Sequence, residues 1–321
     1  MDIETIKQNV GRVLKATDIK DIGERKIGKV RDVYTQSDKI ILVSTDRHSS
    51  FDRIIAHIPF KGQVLNQISA FWFEKTRDIL QNHVVSLPDP NVLVAKKCTS
   101  ILVEMVVRGY LTGVTDTSIW THYQKGEREF GGVTLPDGMK KNSKLPEPLL
   151  TPTTKSEEHD RPITPEEIVS EGLVPQELWN EMAEKAVLIF KRGQEIAAKA
   201  GLILVDTKYE FGLDENGKLI FIDEVHTPDS SRYWYAESYD ERFTNGLEPE
   251  YFDKEFLRVW FKENCDPYKD EVLPEAPADM VAELSRRYIA IYEKITGEKF
   301  NVDLSTPIEE RIEKNLAAFK I

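Results

Sequence analysis

The chain has 321 residues, of which 40% are hydrophobic and 31% are charged, and its formal net charge is -12. This length is sufficient for a sizeable core in one large or two ordinary domains. Proteins that bind duplex nucleic acid or a membrane surface are more often basic, so the charge disfavours both classes. Basic residues that cluster despite this acidic balance are more consistent with a small anionic ligand.

The cysteine content and the N-terminus predict a cytoplasmic protein. Cys98 and Cys265 show no paired spacing, which favours a reducing compartment and disfavours structural zinc or a disulfide framework. No apolar run approaches the roughly 20 residues that a membrane-spanning helix needs. The first residues, Met1-Asp-Ile-Glu-Thr, lack the basic and apolar parts of a signal peptide.

Strand patterns dominate the first third of the chain. Residues 26–45 predict a hairpin with a polar turn at 36–38, and residues 92–107 contain two short apolar runs that predict paired strands. Residues 63–80 have apolar positions at helical spacing. The proline-rich residues 135–165 predict a functional loop or a linker, and their charged and hydroxylated side chains favour an active-site loop.

Helix patterns dominate the rest of the chain. Thr164-Pro165-Glu166-Glu167 has the capping-box pattern of a helix start. Further helices are predicted at residues 175–200 with Gly201 as the terminating residue, 253–263, 277–296 and 307–319. Strands followed by helices are typical of an α+β protein. We predict an N-terminal β-rich lobe, residues 1–105, and a larger C-terminal α+β lobe with C-terminal helices, residues 106–321.

Two acidic strands flank Asn216-Gly217, a strong signal for a tight hairpin turn. A two-residue turn at this position would place Glu210 directly opposite Asp223, about 5 Å away, where like charges repel. A divalent cation such as Mg²⁺ would explain this pair. Asp206, Lys208 and Glu210 share one face of the first strand because strand side chains alternate. A surface hairpin with a solvated charged face is the alternative, and a longer loop would shift the pairing.

Four other segments could bind anions or polar groups. Lys29 and Arg31 share a strand face beside Gly28, which suits a phosphate but also a solvated edge strand. Residues 44–52 follow a strand end, where polar groups can converge on a ligand. Arg108 follows an apolar strand and suits a phosphate or carboxylate, although an ordinary ion pair is equally compatible. Residues 227–232 combine two hydroxyls with an arginine, or begin a helix by N-capping.

These segments together resemble the SAICAR synthetases, the phosphoribosylaminoimidazole-succinocarboxamide synthases of purine biosynthesis. The resemblance extends from about Gly28 to about Trp260. It rests on Gly-Lys-Val-Arg-Asp (28–32), Ser-Thr-Asp-Arg-His-Ser-Ser-Phe-Asp (44–52), Lys-Gly-Gln-Val-Leu-Asn (61–66), Val-Val-Arg-Gly-Tyr-Leu-Thr-Gly (106–113), Thr-Pro-Thr-Thr-Lys-Ser-Glu-Glu-His-Asp (151–160), Asp-Thr-Lys-Tyr-Glu-Phe-Gly (206–212) and Asp-Glu-Val-His-Thr-Pro-Asp-Ser-Ser-Arg (223–232).

The resemblance implies a two-lobed fold with a nucleotide cleft, similar to ATP-grasp and kinase-like architectures. It implies that ATP, L-aspartate and CAIR, a carboxylated aminoimidazole ribonucleotide, are converted to ADP, phosphate and SAICAR. A carboxylate resists attack by an amine, so transfer of the γ-phosphoryl group to it would create an acyl phosphate that the aspartate amine displaces. Such chemistry needs a metal ion and cationic side chains around the phosphates.

The resemblance also implies roles for individual residues. Lys208, Glu210 and Asp223 would be catalytic, and Glu210 and Asp223 would hold Mg²⁺. Lys29, Arg31 and, at the ribose, Glu104 would bind ATP. The remaining candidates would bind CAIR or aspartate: Arg108 and Arg232 as clamps on the CAIR phosphate, Lys155, His159 and Asp160 on a lid, and Asp46, Ser49, Ser230 and Ser231.

One departure from the family affects the predicted phosphate site. Many relatives have serine after the glycine that corresponds to Gly113, whereas this chain has Val114, followed by Thr115 and, further on, Ser118. Either hydroxyl could substitute, or the loop takes another path.

Two alternatives to the SAICAR synthetase function are another ATP-driven carboxylate–amine ligase and a non-catalytic nucleotide-binding regulatory module. We expect a monomer or homodimer whose partners are small molecules, without nucleic acid or membrane.

Overall fold

A computed structural model describes residues 1–51, 53–114, 118–155, 161–252 and 255–321. The helices are α1 (Ile3–Gln8), α2 (Lys61–Thr76), α3 (Ile119–Gln124), α4 (Pro165–Ser170), α5 (Gln176–Lys199), α6 (Ala236–Thr244), α7 (Glu255–Asn264), α8 (Ala278–Thr296) and α9 (Ile308–Asn315). The strands are β1 (Glu24–Ile27), β2 (Arg31–Thr35), β3 (Lys39–Ser44), β4 (Arg47–Ser50), β5 (Arg53–His57), β6 (Val84–Asp89), β7 (Val92–Lys96), β8 (Thr99–Leu111), β9 (Glu129–Phe130), β10 (Val133–Thr134), β11 (Ser143–Leu150), β12 (Thr153–Thr154), β13 (Leu202–Leu213), β14 (Leu219–Ile222) and β15 (Ser231–Tyr235).

The N-terminal part of the chain forms a five-stranded antiparallel sheet in the order β1-β2-β3-β7-β6. One face of this sheet is covered by the end of the chain. Ile41, Val43 and Val94 of the sheet lie in one buried cluster with Ile308 and Ile312 of α9. The C-terminal helix therefore completes the core of the N-terminal sheet.

A second sheet has the order β11-β8-β13-β14, with β12 also pairing with β8 and β15 with β13. The long central strand β13 has two different faces. Tyr209 and Phe211 are fully buried in the main core, where they join apolar residues of α5. Asp206, Lys208 and Glu210 alternate with them on the other face, as the sequence predicts. The second sheet thus presents a row of charges towards the space between the two sheets.

The predicted α+β class is confirmed, and most predicted elements exist. The capping box at Thr164 and Glu167 is present, and Gly201 follows α5 with a positive φ of 72°. The loop predicted at residues 135–165 is partly wrong, because it contains β11, which pairs with β8. Proline is tolerated there because β11 is an edge strand with an irregular register. Helix α6 was not predicted.

The predicted register of the acidic hairpin is wrong by one residue. Glu210 lies opposite Ile222 rather than Asp223. The physical reason is Asp214, whose carboxylate accepts the backbone N–H groups of Asn216 and Lys218, both at 2.9 Å. The Asp214 N–H also donates to the Lys218 carbonyl at 2.9 Å. These bonds enclose a three-residue loop in place of the expected two-residue turn.

The division into lobes remains a proposal. Strand β8 continues through the predicted boundary at residues 105 and 106, and it belongs entirely to the second sheet. We therefore place the division between the lobes ahead of Thr99, where the chain leaves the N-terminal sheet. The two sheets adjoin at β14, where the N–H groups of His83 and Phe221 donate to the carbonyls of Phe221 and Gln81.

Gly62 provides a test of how closely α2 packs on β3. A Cβ atom at Gly62 would lie 2.3 Å from the Ser44 carbonyl oxygen, whereas one at Gly11 would meet nothing within 4 Å. We expect Gly62→Ala to reduce the free energy of unfolding by about 2 kcal/mol or more through overpacking. Gly11→Ala should change it by less than about 0.5 kcal/mol. Urea unfolding measures both, and equal losses in the two variants would contradict this packing.

Candidate active site

A cavity of about 950 Å³, called the cleft below, lies between the N-terminal sheet and the charged face of β13. The turn before β2 contributes Lys29, and the tip of the β4–β5 hairpin contributes Ser49. Lys208 and Glu210 of β13 and Asp223 after β14 line the opposite wall. The cleft therefore collects both cations and carboxylates from segments that are far apart in the sequence.

Two carboxylates and a lysine form the first charge cluster, on β8 and β13. Glu104 lies directly opposite Glu210 across the strand pair. Like charges at such positions repel, and Lys208 offsets this because its Nζ lies 2.6 Å from Glu104 Oε1 and 2.9 Å from Glu210 Oε1. Lys155 also contacts Glu210 through Oε2. Burial would raise the pKa of Glu210, but Lys208 and Lys155 hold this pKa below its usual value of 4.5.

Asp223 joins the cleft by a different route from the one that the sequence predicts. It follows the last residue of β14 and has a φ of 65°, a conformation that non-glycine residues seldom adopt. Arg31 donates from Nη1 to Asp223 Oδ1 at 2.9 Å and from Nη2 to Glu224 Oε2 at 2.5 Å. Burial raises the pKa of Asp223 to about 6, with Arg31 opposing this shift and Glu210 adding to it. Glu210 and Asp223 thus line the same cleft, although they do not lie opposite each other in the pairing of β13 with β14.

The donor chemistry of Glu210 and Asp223 fits Mg²⁺. This ion is commonly bound through one or two carboxylates together with substrate phosphates, and it retains several waters. Within the described ranges, no group of three or more histidine, cysteine or acidic side chains is arranged to hold a metal ion by itself. A site that is completed by phosphate oxygens is consistent with both observations.

A second charge cluster lies on the same face of β13, four residues from Glu210 and outside the set of residues that line the cleft. Asp206 is opposite Arg108 on β8 and opposite Arg232 on β15. Its carboxylate lies 3.7 Å from Arg108 Nη1 and 3.3 Å from Arg232 Nε. Arg108 also donates from Nε to Thr151 Oγ1 at 2.8 Å. The two predicted clamp arginines therefore converge on one carboxylate.

Asp206 was noted in the sequence only as sharing a face with Lys208, and no site role was predicted for it. Its side chain is buried, and Oδ2 has no hydrogen-bond partner within the described part of the chain. Residues that line the cleft without having been singled out include Cys98 and Arg258. The strand alternation could have indicated Asp206, whereas no local pattern in the sequence distinguishes Arg258.

Asp46 does not line the cleft. It is 1% exposed, and its two oxygens accept the N–H groups of Leu14 at 2.7 Å and Gly62 at 2.8 Å. Burial raises the pKa of Asp46 to about 6, against these hydrogen bonds. The predicted substrate role has no support in this geometry, so we leave Asp46 out of the proposed site.

Both serines after Asp229 bond to threonine hydroxyls. The Ser231 hydroxyl lies 2.8 Å from Thr207 Oγ1, on the side of β15 opposite Arg232, and the Ser230 hydroxyl lies 3.2 Å from Thr227 Oγ1. Their predicted substrate roles stay predictions.

Several loop predictions cannot be placed. His159, Asp160 and Thr115 lie outside the described residues. Val114 is exposed. The Ser118 hydroxyl accepts the Thr121 N–H and caps α3, so this hydroxyl already has a role in the helix start.

Comparisons with known proteins identify the family of this chain. The family model described as SAICAR synthetase matches residues 24–275. The phosphoribosylaminoimidazole-succinocarboxamide synthase of Legionella pneumophila (strain Lens) is 56% identical over 92% of this chain and 95% of its own length. The chloroplastic synthase of Arabidopsis thaliana is 54% identical over 97% of this chain and 77% of its own length.

Solved structures that resemble this chain belong to the same family. A SAICAR synthase from Saccharomyces cerevisiae complexed with SAICAR has 33% identity and a TM-score of 0.78, covering 90% of this chain and 100% of that one. A SAICAR synthetase in complex with ADP has 26% identity and a TM-score of 0.66, covering 87% and 100%. The fold and the sequence matches are those of a ligase family. The chain belongs to the SAICAR synthetase family.

No helix in the described ranges has the length and apolar character required to cross a membrane.

Lys208 should stabilise the fold as well as the site. In Lys208→Met, Glu104 and Glu210 would face each other without their shared cation, and we expect a loss of about 1–3 kcal/mol in the free energy of unfolding. The pKa of Glu210 is lowered from 4.5 in the folded protein, so its contribution is present above this pH and lost on acidification. The difference between wild type and variant should therefore shrink below about pH 4.5.

Chemical denaturation at several pH values measures this effect. The double variant Lys208→Met/Glu104→Gln is the control, because it removes the repulsion together with the lysine and should recover part of the loss. A Lys208→Met protein that is as stable as wild type at pH 7 would contradict the interpretation.

Proposed function

We propose that this chain joins L-aspartate to the carboxylate of CAIR, with conversion of ATP to ADP and phosphate, and that it does so in the cleft and at the adjoining arginine cluster. The observation that carries the proposal is the pair of charge clusters on one face of β13. One cluster contains the paired carboxylates and lysines, Glu104, Lys208, Glu210 and Lys155. The other contains two arginines at Asp206.

The separation of the clusters suits a nucleotide monophosphate that reacts at its base. Asp206 and Glu210 are four residues apart on one strand, which corresponds to about 13 Å at roughly 3.3 Å per residue. The arginines would bind the 5′-phosphate of CAIR, since their planar forks match phosphate oxygens. The CAIR carboxylate would then lie towards Lys208, at the end of the cleft where the ATP phosphates meet the metal ligands.

The ATP end of the cleft is proposed from its charges. Lys29 and Arg31 line the wall formed by the N-terminal sheet and would bind the phosphates, while Glu104 would contact the ribose. Glu210 and Asp223 would hold Mg²⁺, and this ion would supply positive charge against the phosphate oxygens. Lys208 would stabilise the phosphoryl group during transfer, since electrostatic stabilisation is the main requirement of such reactions.

The reaction would proceed in two balanced steps. A carboxylate oxygen of CAIR forms a bond to the γ-phosphorus as the bond to the β-phosphate oxygen breaks, releasing ADP. The aspartate amine then attacks the acyl carbon, phosphate leaves with the transferred oxygen, and the amine loses a proton. Lys155 and the 151–160 segment with His159 and Asp160 would cover the acyl group, and Ser49, Ser230 and Ser231 would contact the substrates.

Isotope transfer tests both the reaction and its intermediate. Purified protein with ATP, Mg²⁺, aspartate and CAIR labelled with ¹⁸O in the carboxylate should release ADP and phosphate that carries one ¹⁸O. Omitting any one substrate should abolish SAICAR formation. Unlabelled phosphate alongside SAICAR would exclude the acyl phosphate, and ADP release that does not require CAIR would favour another ligase. Binding of ATP without turnover would favour a regulatory module.

We also expect the protein to be a cytoplasmic monomer or homodimer.

The metal assignment predicts a loss of turnover in two variants. Glu210→Gln and Asp223→Asn should each reduce kcat by about 100-fold or more, because each loses a charge that would hold the metal against the phosphates. Activity measured as a function of Mg²⁺ concentration checks this, with circular dichroism to verify the fold. Glu147→Gln is the control, since Glu147 is an exposed residue that pairs with Lys191. A near-normal rate at limiting Mg²⁺ in either cleft variant would exclude that residue as a ligand.

The phosphate clamp predicts a substrate-specific effect. Arg232→Lys should raise the KM for CAIR about tenfold and leave the KM for ATP nearly unchanged, because lysine offers a point charge in place of a planar fork. Steady-state kinetics with each substrate varied in turn measures both constants. Arg242→Lys on α6 is the matched control, and its kinetics should equal those of wild type. An effect confined to ATP would move Arg232 to the nucleotide end of the cleft.

A further inference from the structure

Lys61, the first residue of α2, has a fully buried side chain. A buried ammonium group loses its hydration and is retained only where close partners compensate it. The Lys61 Nζ donates to Asp229 Oδ2 at 2.6 Å and to the Arg47 carbonyl at 3.0 Å. It also lies 5.7 Å from the centre of the Tyr288 ring. The function described above assigns no role to this lysine.

Asp229 connects Lys61 to the cleft. One of its oxygens bonds to Lys61, and the other accepts the Tyr288 hydroxyl at 2.5 Å. Asp229 itself lines the cleft, and it lies three residues before Arg232. The start of α2, the middle of α8 and the segment between β14 and β15 therefore meet at one carboxylate.

The segment from Asp223 to Arg232 is also fixed at its other end. Arg31 bonds to Asp223 and Glu224, and Thr227 donates from Oγ1 to Glu224 Oε2 at 3.0 Å. The same Thr227 oxygen accepts the Asp229 N–H at 3.2 Å. A continuous set of hydrogen bonds thus extends from Arg31 to Lys61 through the segment that leads to Arg232.

We propose that Lys61 and Tyr288 are positioning residues that act through Asp229. They hold the segment that carries Arg232, and so fix the distance between the phosphate clamp and the metal ligand Asp223. A buried ion pair contributes little net stability compared with apolar residues of similar size. We therefore assign the Lys61–Asp229 pair the role of orienting the segment that carries Arg232. The inference rests on the proposed function, since it assigns these residues to the binding of CAIR.

Removal of both charges separates positioning from stability. Lys61→Met alone removes the ammonium group that compensates the Asp229 carboxylate and endangers the fold, so the double variant Lys61→Met/Asp229→Asn is the principal test. We expect its thermal midpoint to stay near that of wild type, its KM for CAIR to rise about tenfold, and its KM for ATP to stay within about twofold. Tyr288→Phe keeps the Lys61–Asp229 pair and should raise the KM for CAIR only two- to fivefold.

Arg311 and Asp89 provide a matched control. They form another largely buried pair, with Nε 2.9 Å from Oδ2, which ties α9 to β6, and neither residue lines the cleft. Arg311→Met/Asp89→Asn should leave the KM for CAIR at the wild-type value. An unchanged KM for CAIR in the Lys61/Asp229 double variant, or an equal rise in both double variants, would overturn the positioning role.

The wild-type protein distinguishes this failure from failure of the proposed function. If wild type forms SAICAR and the Lys61/Asp229 double variant binds CAIR normally, the positioning role alone is overturned. If wild type forms no SAICAR from ATP, aspartate and CAIR, the proposed function is overturned, and the positioning role is overturned with it.

Discussion

The antiparallel pairing of β8 with β13 determines which charges meet on the charged face of the second sheet. It sets Glu104 opposite Glu210 and Arg108 opposite Asp206, so like charges oppose each other at one end and opposite charges at the other. A shift by one residue would turn every one of these side chains towards the core. The apolar residues on the other face, among them Tyr209, are fully buried and resist such a shift. The proposed metal site and phosphate clamp therefore depend on one register.

The carboxylates in and beside the cleft are compensated by lysines and arginines. Glu104 and Glu210 share Lys208, Asp223 bonds to Arg31, and Asp229 bonds to Lys61. Because buried carboxylates without partners are costly, each of these cations stabilises its carboxylate. The Arg31–Asp223 pair also joins the N-terminal sheet to the segment after β14. Under the proposed function, anionic phosphates would compete for the same cations while a metal ion took the carboxylates. Ligand binding would then exchange one set of ion pairs for another of similar charge.

Most of the fold was predictable from local patterns, and the errors have local causes. Alternation along β13 indicated the charged face correctly, and the capping box at Thr164 located a helix start. The hairpin register failed because the Asp214 side chain bonds to the turn and lengthens it. The family resemblance supplied the candidate site residues, but it could not show that Asp46 is enclosed by backbone amides. Asp229, the ion-pair partner of Lys61, lies 168 residues away in the sequence, a separation that no sequence window reveals.

The packing of α9 on the N-terminal sheet has a consequence for the order of folding. Ile308 and Ile312 share a buried cluster with Ile41 and Val94, and Arg12 donates to the Leu304 carbonyl at 2.7 Å. A nascent chain on the ribosome therefore exposes one apolar face of its first sheet until α9 has been synthesised. Such a surface is a natural substrate for chaperones, since exposed apolar strands promote aggregation. The wall of the cleft that would receive ATP is thus among the last parts of the molecule to mature.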